Sequence, residues 1–348
     1  MITFITRRAP VLLAASALST GGAWAANGMP DQDGWSGHVN LGVGAGQSET
    51  NMIAGIGSID LGDERVSSLD EDASSEDIVM PAFQFEVAYT LADSQTQFYL
   101  GNQVEDFVNF DVETTLQTHA GIRQAIDGIG LIDISLAASS FPTDVWKDPY
   151  IVDEKREDTE RESVGAHVSW RGIMGSGFNF DFYSMDIDLD DEDSGDRLVA
   201  DGVLTEREAR DLRRTGQIYS FDLEYSWQIS DRQRLVPGIG YKDYKLDGEA
   251  MAEDGIALQL KHYYSMDRWR FVSKLFYRDM EANDTNPIYG ENGDTQTIGA
   301  VFQAFYPQPF GLKEWTANAT ASYTEGDSDI DFYDSSFGMI SLGMMRKF

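Results

Sequence analysis

The chain of 348 residues contains no cysteine, which excludes disulfide scaffolds, thiolate metal sites, iron–sulfur clusters and cysteine nucleophiles. Positive charge is scarce, because 26 Lys and Arg stand against 59 Asp and Glu, for a net charge of −33 and a pI near 4.2. Nucleic acid is not expected as a partner, since phosphate binding needs a basic face. Beyond the N-terminus the chain has no apolar run of the roughly 18 residues that a membrane-spanning helix requires.

The N-terminal segment has the pattern of a cleaved secretory signal peptide over residues 1–25. Arg7 and Arg8 form a positive region, a short apolar stretch follows, and Ala23-Trp24-Ala25 is a small-x-small cleavage site. The expected domains are therefore a signal peptide at 1–25 and a mature, exported domain at 26–348.

The mature chain shows alternation with a period of two rather than a helical period. For example, Phe83, Phe85 and Val87 alternate with Gln84 and Glu86. Successive side chains of a strand point to opposite faces, so each segment has one apolar and one more polar face. About fourteen strands (12–16) are predicted, at 35–45, 81–91, 95–104, 112–123, 130–139, 163–172, 177–187, 217–229, 233–245, 254–265, 269–280, 295–306, 314–325 and 336–348.

The connections between these strands alternate in length. Those at 47–80, 140–162, 188–216 and 281–294 are long and acidic, whereas those at 92–94, 124–129, 173–176, 230–232, 266–268 and 307–313 are tight. Aromatic residues such as Trp35, Tyr89 and Trp269 stand at the ends of the apolar faces. This combination is typical of an all-β, transmembrane, antiparallel up-and-down barrel with long extracellular loops and short periplasmic turns. The alternative is a soluble, secreted β-sandwich or propeller.

The last residues carry a further indication. Ile340, Leu342 and Met344 alternate toward a terminal Phe348, with Arg346 in a position where an apolar residue is usual. This ending resembles the signal by which Gram-negative outer-membrane barrels are recognised for assembly. Gly34-Trp35-Ser36-Gly37, the segment at 48–52 and the chain length resemble an uncharacterised outer-membrane family known only as a domain of unknown function.

That resemblance, which is porin-like in pattern, implies a fold and a location and offers no activity. The expected location is the cell outer membrane. The expected partners are outer-membrane lipid, lipopolysaccharide, the barrel-assembly machinery, periplasmic chaperones and small polar solutes.

The polar strand faces predict the ionisable residues of the lumen. Those carrying the expected selectivity are the bases Arg234, Lys242, Lys261, Arg270, Lys274 and Arg278 and the acids Asp181, Asp222 and Glu224. Further residues placed on this face are Glu86, Glu113, Asp133, Arg123 and Arg171. A basic stripe beside an acidic one favours a channel in which opposed charges act on polar solutes and ions during passive diffusion. The plainer alternative is that these charges only neutralise one another.

The rival function is a non-conducting barrel whose acidic loops form an adhesive, structural or docking surface. An enzyme is not expected. One hydrolase hypothesis depends on His167 and Ser169, which share a strand face at the spacing found in outer-membrane phospholipases, although Trp170 and Arg171 follow instead of Asn-Gly.

No cofactor is expected, apart from weak binding of calcium or another divalent ion at the acidic loops. The segment from Asp190 has a degenerate similarity to a calcium-binding loop, in which Asp190, Glu192 and Asp201 would supply oxygens. A solvated acidic face or weak binding of divalent ions is the alternative. Thr205 and Glu208 form the pattern of a capping box that opens a short helix through Arg214, so this loop is expected to be structured.

Overall fold

The computed structural model describes residues 29–57, 59–102 and 117–348. Within these ranges fourteen long strands form one antiparallel sheet. They are β1 Gly34–Glu49, β2 Ser75–Leu91, β3 Thr96–Gly101, β4 Gln117–Ile126, β5 Gly130–Ser139, β6 Asp158–Arg171, β7 Phe178–Leu189, β8 Gly216–Tyr225 continuing as Trp227–Ser230, β9 Gln233–Leu246, β10 Glu253–Met266, β11 Trp269–Ala282, β12 Thr295–Pro307, β13 Trp315–Ser328 and β14 Ser335–Lys347. The predicted signal peptide at 1–25 and Glu113 lie outside the described residues.

The sheet closes on itself because β1 pairs with both β2 and β14. Leu41 lies opposite Phe83 on one side and opposite Met344 on the other. Every neighbouring pair of long strands is antiparallel, so the predicted up-and-down barrel is confirmed. Closure removes the free sheet edges, which is what allows strands to cross a bilayer with all backbone groups paired.

The outward face of the barrel is apolar and exposed. The relative exposure of the whole residue is above one half at Leu41, Val43, Ile134, Leu136, Leu275, Ile340 and Leu342. Such a continuous apolar surface is stable only against lipid, and this excludes the soluble sandwich or propeller.

Aromatic pairs mark one end of this apolar belt. Trp35 and Tyr89 lie 5.1 Å apart between ring centroids, and Trp269 and Tyr306 lie 4.8 Å apart. The C-terminus joins the belt here, since Phe348 exchanges backbone hydrogen bonds of 3.0 and 3.1 Å with Gly37. Amphipathic rings at this level are suited to a membrane–water interface.

Turn lengths divide between the two ends of the barrel as predicted. The short-turn end holds the connections 92–95, 127–129, 172–177, 231–232, 267–268 and 308–314. The long-loop end holds 50–74, 140–157, 190–215, 247–252, 283–294 and 329–334. Strands β1, β2 and β6 extend further toward the long-loop end than predicted, because hairpin pairing continues beyond the apolar belt, where the alternation that marks a membrane strand is no longer needed.

The long loops have secondary structure of their own. Ile53–Ile56 pairs with Thr143–Trp146, and two short helices, α1 Asp196–Ala200 and α2 Glu206–Arg210, lie in the loop before β8. Thr205 caps α2 in the predicted box with Glu208, although α2 is shorter than the helix expected through Arg214. Among the described residues, no helix has the length and apolar content to cross a membrane.

Candidate functional site: the charged lumen

The inward faces of β6 and β7 carry a buried cluster around Asp181. Arg171 donates to both carboxylate oxygens of Asp181, at 2.6 and 2.8 Å, and His167 Nε2 lies 3.1 Å from the same group. The His167 ring stacks on Tyr183 with 4.0 Å between centroids. A two-point guanidinium–carboxylate contact fixes both partners, so this part of the wall is rigid.

The next cluster forms across strand β9 rather than between adjacent strands. Lys261 on β10 lies 2.7 Å from Glu224 on β8, and both side chains are more than nine-tenths buried. The intervening strand presents Gly238 and Gly240 at this level. A Cβ on Gly238 would lie 3.1 Å from Glu224 Cγ, and one on Gly240 would lie 2.5 Å from an Asp222 oxygen. The two glycines thus leave the space in which β8 acids approach β10.

Strand β11 adds two cations separated by an aromatic ring. Lys274 Nζ lies 5.0 Å from the Phe276 ring centroid, and Arg278 Cζ lies 5.7 Å from it. Gly299 on β12 makes room for the ring, because a Cβ there would lie 2.2 Å from Phe276 Cζ. The cations are therefore positioned by a ring that lies against the wall.

A separate network lies on β2 to β5. Arg123 contacts Glu86 at 2.8 Å and Asp133 at 3.0 Å, and its guanidinium lies 3.7 Å from the Tyr99 ring centroid. The Tyr99 hydroxyl donates to Asp133 at 2.8 Å. This set of two acids and one base is mutually satisfied.

The clusters of β6 to β11 surround a space that is open to solvent, here called the lumen cavity. Its ionisable lining comprises Arg161, Glu162, Arg171, Asp181, Asp222, Glu224, Lys242, Lys261, Lys274 and Arg278. By formal count, six bases and four acids leave an excess of two positive charges, although the whole chain has a formal charge of −33. The negative charge of the chain is thus concentrated outside this cavity.

Most of the predicted selectivity residues meet at the lumen cavity. Arg234 and Arg270 do not line it. Arg234 lies over the Tyr263 ring at 4.1 Å, and Arg270 donates to the carbonyls of Asp267 and Trp269 near the short-turn end. Alternation along a strand predicts the face that a side chain occupies but not its depth in the barrel, which explains this difference.

Sequence reasoning also missed residues of the site. Tyr183, Gln259 and Phe276 line the lumen cavity, as does Arg161. Phe276 carried a usable signal, since it stands between two cations at alternate positions of a polar strand face. The paired glycines of β9 carried another.

Above the charged level the wall becomes apolar. A cluster of buried apolar side chains, here called the rim collar, lies on the inward faces of the strands and includes Val145 of the loop strand. Its other members are Ala137, Met185, Ile187, Leu189, Ile218, Tyr244 and Met280. The collar lies at the long-loop end of the barrel.

Beyond the rim, six loops pack into a second apolar core. This loop cap is formed by Val66, Tyr150, Leu204, Leu212, Ala250, Ile330 and Phe332, with flanking residues that include Met52, Tyr289 and Tyr333. The hydroxyls of Tyr150 and Tyr333 lie 2.7 Å apart, and Asn286 donates to Tyr333 at 2.7 Å. Burial raises the pKa of Tyr333 to about 12, so its hydroxyl remains protonated at neutral pH.

Two buried arginines hold the cap loops together. Arg156 is fully buried and donates to the carbonyls of Asn51 at 2.8 Å and Pro149 at 3.2 Å, and also to that of Asp63. Burial lowers the pKa of Arg156 to about 10, so it is still charged at neutral pH. Arg214 contacts Glu192 at 3.1 Å and the Trp146 carbonyl at 2.6 Å.

The residues of the calcium hypothesis have separate partners. Glu192 forms an ion pair with Arg214. Asp201, the C-cap residue of α1, lies 3.0 Å from Arg197 in the same helix. Asp190 donates its backbone N–H to Glu160. Over residues 29–57, 59–102 and 117–348 no group of three His, Asp or Glu side chains is arranged to hold a metal ion. The calcium site stays a prediction.

His167 and Ser169 both face the lumen and are buried. The imidazole contacts Asp181, Tyr183 and the His119 ring, at 5.9 Å between centroids, and its hydrogen bond is to Asp181 rather than to the serine hydroxyl. A nucleophile needs a base within hydrogen-bond reach, so this arrangement does not favour the hydrolase hypothesis.

Comparison with known proteins gives a family and a set of distant structural likenesses. The family model described as "Protein of unknown function (DUF2860)" matches residues 34–347. No curated protein sequence matches the chain.

Among solved structures, the outer membrane channel DcaP of Acinetobacter baumannii is 8% identical, with 90% of this chain and 98% of that chain covered and a TM-score of 0.42. A Pseudomonas aeruginosa FadL homologue is 10% identical, with 93% and 90% covered and a TM-score of 0.41. The CymD monoaromatic hydrocarbon channel is 9% identical, with 90% and 88% covered and a TM-score of 0.43. Likenesses at this level are no basis for assigning a solute.

Proposed function

The chain belongs to the DUF2860 family of proteins of unknown function, and we propose that its barrel is an outer-membrane channel for passive diffusion of small hydrophilic solutes and ions. The observation that carries the proposal is the lumen cavity, an open space with an excess of two positive charges inside a closed transmembrane barrel. Charged groups on a confined wall change the local concentration of ions and thereby set selectivity. The excess predicts a preference for anions.

In this proposal the barrel lies in a Gram-negative outer membrane, with the loop cap on the outer side and the short turns in the periplasm. A cleaved signal peptide at 1–25 would export the chain, and Phe348 would present it to the assembly machinery. Solutes then reach the lumen cavity when the cap loops separate.

Charge reversal at Lys274 and Arg278 is expected to convert anion preference into cation preference in planar bilayers. Two unit charges 4 Å apart interact by about 1 kcal/mol in water. A free-energy difference of this size corresponds to a change of about fivefold in the ratio of the two permeabilities. The double variant Lys274→Glu/Arg278→Glu should therefore change the ratio of anion to cation permeability by at least about fivefold.

The control is Lys313→Glu, which reverses one charge on the exposed 308–314 turn and should leave the ratio unaltered. Lys274→Met/Arg278→Met provides a milder pair if reversal prevents folding. A heat-modifiable, folded barrel that conducts neither with the loop at 190–215 nor with this loop replaced by a short linker would contradict the channel proposal.

The second candidate is a non-conducting barrel that docks a partner, and the packed loop cap favours it because a rigid surface lowers the entropic cost of binding. Replacing residues 190–215 with a short Gly-Ser linker separates the two functions. A higher conductance in this variant supports a channel that the cap closes. The absence of conductance in both the unsubstituted protein and the variant supports docking.

The proposal contains no catalytic step. The double variant His167→Ala/Ser169→Ala is expected to leave any phospholipid hydrolysis by the refolded protein at the level of the unsubstituted protein, because the buried serine is not activated by the histidine. Release of fatty acid that is lost specifically in this variant would restore the hydrolase hypothesis.

A further inference from the structure

We propose that the space between the loop cap and the rim collar is a binding site for a small, uncharged, apolar molecule. This space, here called the cap chamber, lies at the long-loop end of the barrel and has a volume of about 280 Å³. An apolar cavity of about 150 Å³ is enough to hold one benzene molecule. The cap chamber thus has room for one or two aromatic rings, and a site there goes beyond the proposed channel function.

The walls of the cap chamber come from two apolar cores that face each other. Met52, Ala250 and Met251 line it on the side of the loop cap, and Val145 and Leu189 line it on the side of the rim collar. Nine of its sixteen lining residues are aliphatic or methionine. A guest that removes these opposed surfaces from water is bound by the hydrophobic effect.

The largest polar side chains of the lining already have partners within the protein. Arg214 donates to a Glu192 oxygen at 3.1 Å and to the Trp146 carbonyl at 2.6 Å. The Tyr333 hydroxyl lies 2.7 Å from that of Tyr150. These groups hold the loops of the cap together, and none of these contacts needs a ligand to complete it.

The remaining polar residues of the lining are also occupied. Thr295 donates its hydroxyl to the Gly293 carbonyl at 3.3 Å. The other three polar residues, which have partners as well, are Arg161, Tyr244 and Glu253. A charged guest would therefore lose its hydration without gaining an unoccupied partner. An uncharged, apolar guest loses little hydration, so the chamber favours this class.

Two methionines make the cap side of the chamber adaptable to a ring. Met251 Sδ lies 3.7 Å from the hydroxyls of both Tyr150 and Tyr333, and Met52 reaches the chamber from a different loop. Thioether side chains are flexible, and their sulfur makes favourable contacts with aromatic rings. An aromatic ring is therefore the apolar group that suits this wall.

A guest in the cap chamber would contact several loops at once. Met52 belongs to the loop at 50–74, Arg214 to that at 190–215, Met251 to that at 247–252 and Tyr333 to that at 329–334. This set of contacts exists only while the loops are packed together. Because a ligand stabilises the conformation to which it binds, the guest should hold the cap closed.

The test is isothermal titration of the full protein refolded in detergent, with toluene, benzoate and benzylammonium as probes. The three probes share one benzene ring and differ in charge. Titration into detergent alone is subtracted, because toluene also partitions into micelles. Toluene is expected to bind saturably and at least tenfold more tightly than either charged probe. Equal affinities for the three probes, or no saturable toluene binding, would overturn the inference.

Two cavity-filling variants locate the site. Ala252 and Ala282 line the chamber, so Ala252→Phe and Ala282→Phe each place a ring where the guest would lie and should weaken toluene binding at least tenfold. Ala200→Phe is the matched control, since it makes the same change at the exposed last residue of α1, outside the chamber.

Heat modifiability verifies folding of every variant, and Ala252→Met is the milder change if neither phenylalanine variant folds. Undiminished toluene binding in a folded, cavity-filled variant would show that the probe binds elsewhere and would reject the site.

Limited proteolysis tests the effect of the guest on the cap. Toluene should slow cleavage of the loop at 190–215 in the unsubstituted protein but not in Ala252→Phe. Binding without slower cleavage would contradict the closing of the cap by the guest.

Conductance recorded on the same preparations distinguishes this inference from the channel proposal. Toluene binding by a barrel that conducts neither with the loop at 190–215 nor without it would retain the site and reject the channel. Conductance from a barrel that binds no toluene would retain the channel and reject the site.

Discussion

Replacing Arg156 with methionine is expected to open the loop cap and to increase channel conductance severalfold. The guanidinium connects three segments of two loops, because it donates to the carbonyls of Asn51, Asp63 and Pro149. It also lies over the Trp146 ring at 4.4 Å. Methionine preserves apolar volume but donates no hydrogen bond, so it leaves these carbonyls without their shared donor.

The expected cost is large because the position is fully buried. Each buried polar group left unsatisfied costs about 1–3 kcal/mol, and a cap stabilised locally by a few kcal/mol would then spend much of its time open. The barrel should persist, since its strand pairing is independent of the cap. Limited proteolysis of the loops at 50–74 and 140–157 measures the opening directly, alongside single-channel conductance.

Arg197→Met is the matched control within the same cap. Arg197 is nearly half exposed and contacts Glu154 and Asp201 at 3.1 and 3.0 Å. Exposed ion pairs contribute about 0–1 kcal/mol, so proteolysis and conductance should stay near those of the unsubstituted protein. Unchanged loop protection in Arg156→Met, in a barrel that folds, would show that the arginine does not hold the cap.

Replacing Lys261 with methionine is expected to destabilise the barrel and to reduce its anion preference. Glu224 would lose its partner at 2.7 Å while remaining buried in the lumen wall. Breaking a buried pair by removing one partner costs about 3–5 kcal/mol. The same change removes one positive charge from the lumen cavity, so selectivity and stability should fall together.

The double variant Lys261→Met/Glu224→Gln separates the two effects. It removes both charges, so most of the stability should return and the charge excess of the cavity should be restored. Midpoints of guanidinium-induced unfolding in detergent report stability, and reversal potentials report selectivity. Additive losses of stability in the double variant would contradict the contact across β9, because residues that interact directly give non-additive effects.

Much of the fold could be predicted because a membrane barrel has a local sequence rule. Alternation places Leu41 and Val43 outward and Asn40 inward whatever their distant neighbours are, and turn residues mark where each strand ends. The same rule placed Lys261, Lys274 and Asp222 on the lumen face correctly. It was weaker at the long-loop ends of β1 and β2, where Ser48 and Ile78 are still buried and the hairpin pairing continues past the apolar alternation.

The depth of each lumen residue and its partner could not be predicted from one strand at a time. Arg234 and Arg270 share the expected face with Lys274, yet they lie toward the short-turn end, because depth depends on the stagger between neighbouring strands. Glu224 and Lys261 meet across β9, where Gly238 leaves room beside Glu224, since a Cβ there would lie 3.1 Å from Glu224 Cγ. This contact involves three strands, so the sequence of any one strand does not predict it.

By itself the sequence determined a strand count of about fourteen, the two faces of the wall, the division of short turns from long loops, and the acidity of the loops. Each of these follows from the period of a strand and the composition of a segment, which are local properties. Only the tertiary structure decided which charges are neutralised, where the positive excess lies, and that six acidic loops pack into an apolar cap around buried arginines. Those outcomes depend on contacts between residues that are far apart in the chain. Such contacts form, and contribute to stability, only when the barrel has closed.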